Sequence, residues 1–211
     1  YWRLHVIDYC EKLLDISGFN KSLEIGAGKG MASAYLSSKD YIEKVYALDY
    51  SEASLESLMP ASQNQLHGAQ PNKIFRVYGS YDSIKENNFD LIYGFGALHN
   101  SRDLLKTFSS CFASLKTGGY LISSDMCLDF SVNSIDEEFL TDRVVPGSRQ
   151  KYGKELTFRN TSDYFRSIVD YIYLAKIAGF RVFPIILDKR GKKRMPSTLL
   201  ELEKNGGLNA F

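Results

Sequence analysis

Leu23-Glu24-Ile25-Gly26-Ala27-Gly28-Lys29-Gly30 is a short apolar run that ends in three glycines spaced two apart, and the segment after it can be helical. A buried strand that turns sharply into a helix needs glycine there, because a Cβ would block both the turn and the close approach of a ligand. The following helix offers free N–H groups and a positive dipole end to whatever lies above it. The stretch therefore reads as a loop for a nucleotide-containing cofactor.

Around this loop, strands alternate with helices. A helix over residues 2–17, with Trp2, Val6, Tyr9, Cys10, Leu13 and Leu14 at helical spacing and Gly18 as its cap, precedes the first strand, Ser22 to Ile25. A helix through Met31, Tyr35 and Leu36 leads to a second strand, 44–48, which ends at Asp49. Asp49 stands about twenty residues past the glycines, where an acid at a strand tip can accept hydrogen bonds from ribose hydroxyls. Ser51 caps the next helix, Lys73 to Tyr78 is a third strand closed by Gly79-Ser80, and Phe89 to Tyr93 is a fourth, broken by Gly94-Phe95-Gly96. Leu104, Phe108, Cys111, Phe112 and Leu115 form one helical face, capped by Ser101 and stopped by Gly118-Gly119. Tyr120 to Ser124 is a fifth strand ending at Asp125. Periodicity then fades from Met126 to Asn160, which marks a long connection suited to covering a site. Thr161 or Ser162 caps a helix that carries Phe165, Ile168, Ile172 and Ala175 inward, Gly179 ends it, and Arg181 to Leu187 is a sixth strand. This rhythm implies a parallel sheet with helices on both faces, and a ligand site above the carboxyl ends of the first, second and fourth strands.

Composition bounds the rest. The 211 residues suffice for one substantial core, and 44% hydrophobic with 24% charged residues is ordinary for a globular protein. A net charge of +1 gives no general attraction to nucleic acid or anionic membrane. Aromatic content is high, with 14 Tyr and 13 Phe, and most of these rings are expected inside. Cys10, Cys111 and Cys127 are too scattered for a disulfide framework or a metal site and read as buried thiols in a reducing compartment. No apolar run approaches membrane-spanning length and no signal peptide opens the chain, so the expectation is a soluble, cytoplasmic protein with no membrane partner. Tyr1-Trp2 opens directly into a helical pattern without an initiator Met, which suggests that residues precede it in the native polypeptide.

These residues resemble the class I S-adenosylmethionine-dependent methyltransferases over roughly residues 23–187. The stretch at 23–30 looks like the family's first motif, an acid (Glu24) before Gly-x-Gly-x-Gly, and Ala47-Leu48-Asp49-Tyr50-Ser51 like its second. Phe89-Asp90-Leu91-Ile92 and Leu98-His99-Asn100 look like the fourth-strand motif and the segment after it. Leu115-Lys116-Thr117-Gly118-Gly119-Tyr120-Leu121 resembles the family's Leu-Lys-Pro-Gly-Gly turn, with Thr117 in place of proline, and Ala178-Gly179-Phe180 its Ala-Gly-Phe. A dinucleotide fingerprint would need Gly-x-Gly-x-x-Gly/Ala, whereas Gly30 comes one place early and Met31 fills the sixth position.

The resemblance implies a doubly wound, mostly parallel Rossmann-like α/β sheet of six or seven strands, in one domain over residues 1–211 with a lid-like insertion at 126–160 and a basic turn and tail at 188–211. It implies S-adenosylmethionine as cofactor and S-adenosylhomocysteine as product. Gly26, Ala27 and Gly28 would run along the cofactor, Asp49 would hold the ribose, Tyr50 would flank the adenine, and Gly94 and Phe95 would meet the methionine end. Where the family has Gly-Asp-Ala this chain has Gly79-Ser80-Tyr81-Asp82, and either Ser80 or Asp82 would serve the adenine amine. The seventh, antiparallel strand is not evident, since 197–204 looks helical.

Methyl transfer from a sulfonium gains from positioning and from a base when the nucleophile must lose a proton. His99, past the fourth strand, and Asp125, at the tip of the fifth, are the candidate catalytic residues; each could instead shape its loop. His5 and His67 have no chemical context. Gly94-Phe95-Gly96-Ala97 replaces the Asn/Asp-Pro-Pro-Tyr that grips exocyclic amines of bases, so nucleic acid is a poor fit as acceptor, and no metal pair is apparent. The insertion mixes Arg143, Arg149, Lys151, Lys154 and Arg159 with Phe130, Phe139, Tyr152 and Phe158, a composition able to clamp a polar molecule. The expected acceptor is a small molecule, methylated at oxygen or nitrogen. The alternatives are an RNA or protein acceptor, reached through the basic run 189–194, and a non-catalytic domain of a larger polypeptide.

Overall fold

The computed structural model describes residues 2–14, 18–60, 64, 66–82, 84–125, 143–145, 163–166 and 168–183. Five parallel strands, β1 (Lys21–Ile25), β2 (Lys44–Asp49), β3 (Ile74–Tyr78), β4 (Phe89–Phe95) and β5 (Leu115–Ser124), lie in the order β3-β2-β1-β4-β5. β1 pairs with β2 on one side and β4 on the other, so the strand order reverses direction there and opens a crevice above the carboxyl ends.

Helices cover both faces. Leu23, Ile25, Phe89 and Ile92 face α3 (Leu104–Ser114) and α4 (Ile168–Ile177), with Phe108, Cys111, Tyr171 and Ala175 in that layer. Val45, Leu91, Tyr93 and Phe95 face α1 (Trp2–Leu13) and α2 (Met31–Ser37), against Ile7, Cys10 and Leu36. β4 is buried along its whole length, as a central parallel strand must be. Lys39, just past α2, ties α1 down through ion pairs to Asp8 (2.8 Å) and Glu11 (2.9 Å), with the Tyr35 and Tyr41 hydroxyls donating to the same two carboxylates.

Several expectations are corrected. The described sheet has five strands rather than six or seven: Arg181–Phe183 are not in a strand, and 184–187 lie outside the described residues. The chain leaves α4 through left-handed Gly179 (φ 106°), and Phe180 packs edge-on against Phe112. The helix expected from 161 begins at Ile168, because Asp163–Phe165 forms β7, antiparallel to β6 (Arg143–Val145). α1 stops at Leu13 and buries Ile7 and Cys10, leaving Leu13 exposed. β4 runs on through Gly94 and Phe95 and turns only at Gly96 (φ 66°). Asp103, not Ser101, caps α3, accepting from the Lys106 N–H at 2.9 Å. Gly118-Gly119 does not stop α3 but lies in an irregularity of β5, where the register against β4 shifts between Phe89 and Leu91. Apart from the backbone of 143–145, the insertion, the basic run and the tail lie outside the described residues.

Candidate functional site

Five strand ends supply the site. After β1, Gly26 (φ 63°), Gly28 (φ 53°) and Gly30 (φ 67°) all take the left-handed backbone that their spacing implied. A Cβ on Gly26 would stand 2.7 Å from Ala97 Cβ, whereas one on Gly28 would meet only the Gly26 carbonyl at 4.0 Å. Gly28 thus faces open space, and Gly26 lets the loop close on the turn after β4. The Ala27 N–H donates to the Leu48 carbonyl at 3.0 Å, tying the loop to β2.

Asp49 ends β2 and is buried. Its Oδ2 accepts the Gly28 N–H at 2.7 Å and its Oδ1 accepts the Ser51 N–H at 2.8 Å. The Ser51 hydroxyl in turn accepts from Ser54 N–H at 3.2 Å, the cap expected for the helical segment 52–60, part of which, Ser54–Leu58, is π-helical. Glu24 points below the loop: its Oε2 accepts the Ser33 N–H (2.7 Å) and hydroxyl (2.5 Å), anchoring the first turn of α2. Tyr50 is half exposed at the rim.

Past β3, Ser80 donates its hydroxyl to Asp82, so the two alternatives for the adenine amine are bonded to each other. Tyr81 is buried and its hydroxyl donates to the Ala97 carbonyl at 3.0 Å. Burial, and then the negative charge of Asp125, push this hydroxyl above its ordinary value, so it remains a donor. Gly94 is tightly packed, since a Cβ would lie 3.1 Å from Ile25 Cγ1 and could enter only if that side chain gave way. The Phe95 ring is buried against Tyr93 on the α1–α2 side, which leaves only its backbone for the cleft.

The two candidate catalytic residues meet. His99 lies in the 3-10 turn Leu98–Asn100, and its Nδ1 is 2.5 Å from Asp125 Oδ1. Asp125 also accepts the backbone N–H groups of Leu98 (2.7 Å), Ala97 (3.2 Å) and His99 (3.3 Å). A carboxylate can only accept, so Nδ1 carries the proton and Nε2 presents a lone pair, to which Asn100 Nδ2 donates at 3.2 Å. Asp125 thus caps the turn and also holds the His99 ring. The sequence reading missed Ala97, which fits under Gly26, and Met59, which packs over Gly30. It also missed Arg166, a buried side chain that donates to the Ser101 carbonyl. His67 is exposed, in keeping with its lack of context.

Among the described residues no cluster of three His, Cys, Asp or Glu could hold a metal ion, and no helix is long and apolar enough to cross a membrane.

A family model described as a methyltransferase domain matches residues 23–121, from the glycine loop into β5. The fold is similar to an S-adenosylmethionine-dependent methyltransferase from Clostridium acetobutylicum, at TM-score 0.64 and 15% identity over 92% of this chain and 87% of that one. It is similar to the YcgJ protein from Bacillus subtilis, at TM-score 0.60 and 18% identity over 98% and 84%. It also resembles a methyltransferase from Haloferax volcanii in complex with the methyltransferase activator Trm112, at TM-score 0.60 and 16% identity over 88% and 73%. No curated protein matches the chain significantly in sequence.

Proposed function

We propose that the chain is a class I S-adenosylmethionine-dependent methyltransferase, that it binds S-adenosylmethionine over the glycine loop, and that it delivers the methyl group to an oxygen or nitrogen of an acceptor beside His99. The observation that carries this reading is Asp49, a buried carboxylate at a strand tip whose two oxygens are aimed by the Gly28 and Ser51 N–H groups, next to the space that Gly28 leaves open. Each oxygen retains acceptor capacity for a vicinal diol. When bound, S-adenosylmethionine supplies an electrophilic methyl on its sulfonium, and transfer gains from alignment and exclusion of water. Nε2 of His99 takes the acceptor's proton once the acceptor displaces the Asn100 amide, and Asp125 stabilises the imidazolium that results.

For the acceptor, support runs toward the macromolecular alternative, RNA or protein, more than toward the small molecule expected from the sequence. It comes from the similarity of the fold to a Haloferax volcanii methyltransferase that is in complex with a methyltransferase activator. The basic run 189–194 would add phosphate contacts.

Titration calorimetry with S-adenosylhomocysteine tests the cofactor. The wild type should bind, and Asp49→Ala should weaken binding more than about tenfold, the worth of one hydrogen bond to a charged group. A wild type that does not bind, or an Asp49→Ala variant that binds equally well, refutes the assignment. Labelled S-adenosylmethionine offered with RNA, protein and small-molecule fractions then separates the acceptors: label confined to small molecules restores the sequence expectation.

A further inference from the structure

The turn that carries His99 is held from both ends. Asp125 gathers the N–H groups where the chain enters it. Where the chain leaves it, Arg166 Nη2 donates to the carbonyls of Ser101 (2.8 Å) and Arg102 (3.2 Å). Arg166 is only 5% exposed and stands directly after β7, which packs against the turn. Burying a guanidinium is costly, and a position that served packing alone would be filled more favourably by an apolar side chain. The carbonyls it meets belong to the first two residues after the turn, and these set the direction in which the backbone leaves His99.

We infer that Arg166 is a positioning residue for His99: through the Ser101–Arg102 backbone it keeps the turn where Nδ1 reaches Asp125, and it thereby couples β7, at the far end of the 126–162 connection, to the proton acceptor. This rests on the reading of His99 given above, but its test needs no acceptor. The chain has three histidines, so long-range 1H–15N spectra give three imidazole signals, and the one lost in His99→Gln is assigned to His99.

The wild type should show His99 as the Nδ1–H tautomer. Arg166→Met should give averaged tautomers at His99, with His5 and His67 unmoved and S-adenosylhomocysteine affinity within about threefold of wild type, less than one hydrogen bond's worth. Arg166→Lys, which keeps the charge on a different donor geometry, should fall between. An unchanged His99 in folded Arg166→Met overturns the inference, as does loss of S-adenosylhomocysteine binding along with the tautomer, which would make Arg166 a general support of the fold. If Arg166→Met does not fold, Arg166→Lys decides: a wild-type His99 signal there overturns it. Failure of the wild type to bind S-adenosylhomocysteine would sink the proposed function and leave this readout standing.

Discussion

Gly26 and Gly28 share a left-handed backbone and differ in what surrounds them, which separates the fold from the ligand. At Gly26 an added methyl collides with Ala97 Cβ, so the loop or the turn after β4 must move. At Gly28 it meets nothing closer than 4.0 Å, and the cost is the φ alone, about 1–2 kcal/mol. Gly28→Ala should therefore melt only a few degrees below wild type. Because its methyl enters the space proposed for the cofactor, its affinity for S-adenosylhomocysteine should fall more than about tenfold, a loss exceeding about 1.4 kcal/mol. A variant that keeps wild-type affinity in calorimetry shows that the space is not the cofactor's. Gly26→Ala should lose stability as well as affinity. These glycines and Asp49 were legible in the sequence because conformation and offset are written in residue type and spacing. Arg166 was not: its partners lie 64 and 65 residues away, and nothing local marks it.

Among the elements, the strands were more legible than their ends. β1 and β2 fall within a residue of where apolar runs placed them, because a parallel strand covered on both faces is mostly apolar. Caps were harder, since Ser101 and Asp103 are both good N-cap residues; the structure uses Asp103, while Ser101 pairs its hydroxyl with Thr107 at 2.8 Å. The sequence marked Asp90 as part of a motif without saying what it does. Its carboxylate accepts the N–H groups of Asn20 (3.0 Å) and Lys21 (2.9 Å) and pairs with Lys116 at 2.7 Å, pinning the start of β1 to β4 and β5. Burial alone would raise this carboxyl, but Lys116 and the two N–H groups outweigh it and hold it below its ordinary value. A lowered folded-state value means the unfolded chain binds the proton more readily, so the stabilisation is full above about pH 4 and fades as pH falls through the folded value. Asp90→Asn should cost about 2 kcal/mol at pH 7. In urea titrations that gap should narrow below about pH 4; a gap independent of pH counts against the assignment.

At the level of the whole molecule, alternating strands and helices gave the doubly wound architecture, and the family motifs covered the part that carries the glycine loop and Asp49. The half after Asp125 lacked such regularity. Asp163–Phe165 pairs with Arg143–Val145 across a gap that no local pattern spans, so a strand there read as the start of a helix. The two-layered core also fixes the behaviour of Cys10 and Cys111. Burial, and then the charge of Glu11, push the Cys10 thiol up to about 11, and burial pushes Cys111 up to about 12. At pH 8 both should resist iodoacetamide in the folded protein and react after unfolding, as read by peptide mass mapping, which separates them from Cys127; rapid labelling of either in the native state would contradict the packing of its layer.

The strand ends are joined to one another by hydrogen bonds within the protein. Ala27 is joined to Leu48, Gly28 to Asp49, Gly96 to Ser124, Tyr81 to Ala97 and the His99 turn to Asp125. The floor of the cleft is preorganised, so an incoming molecule spends little of its interaction energy on ordering backbone.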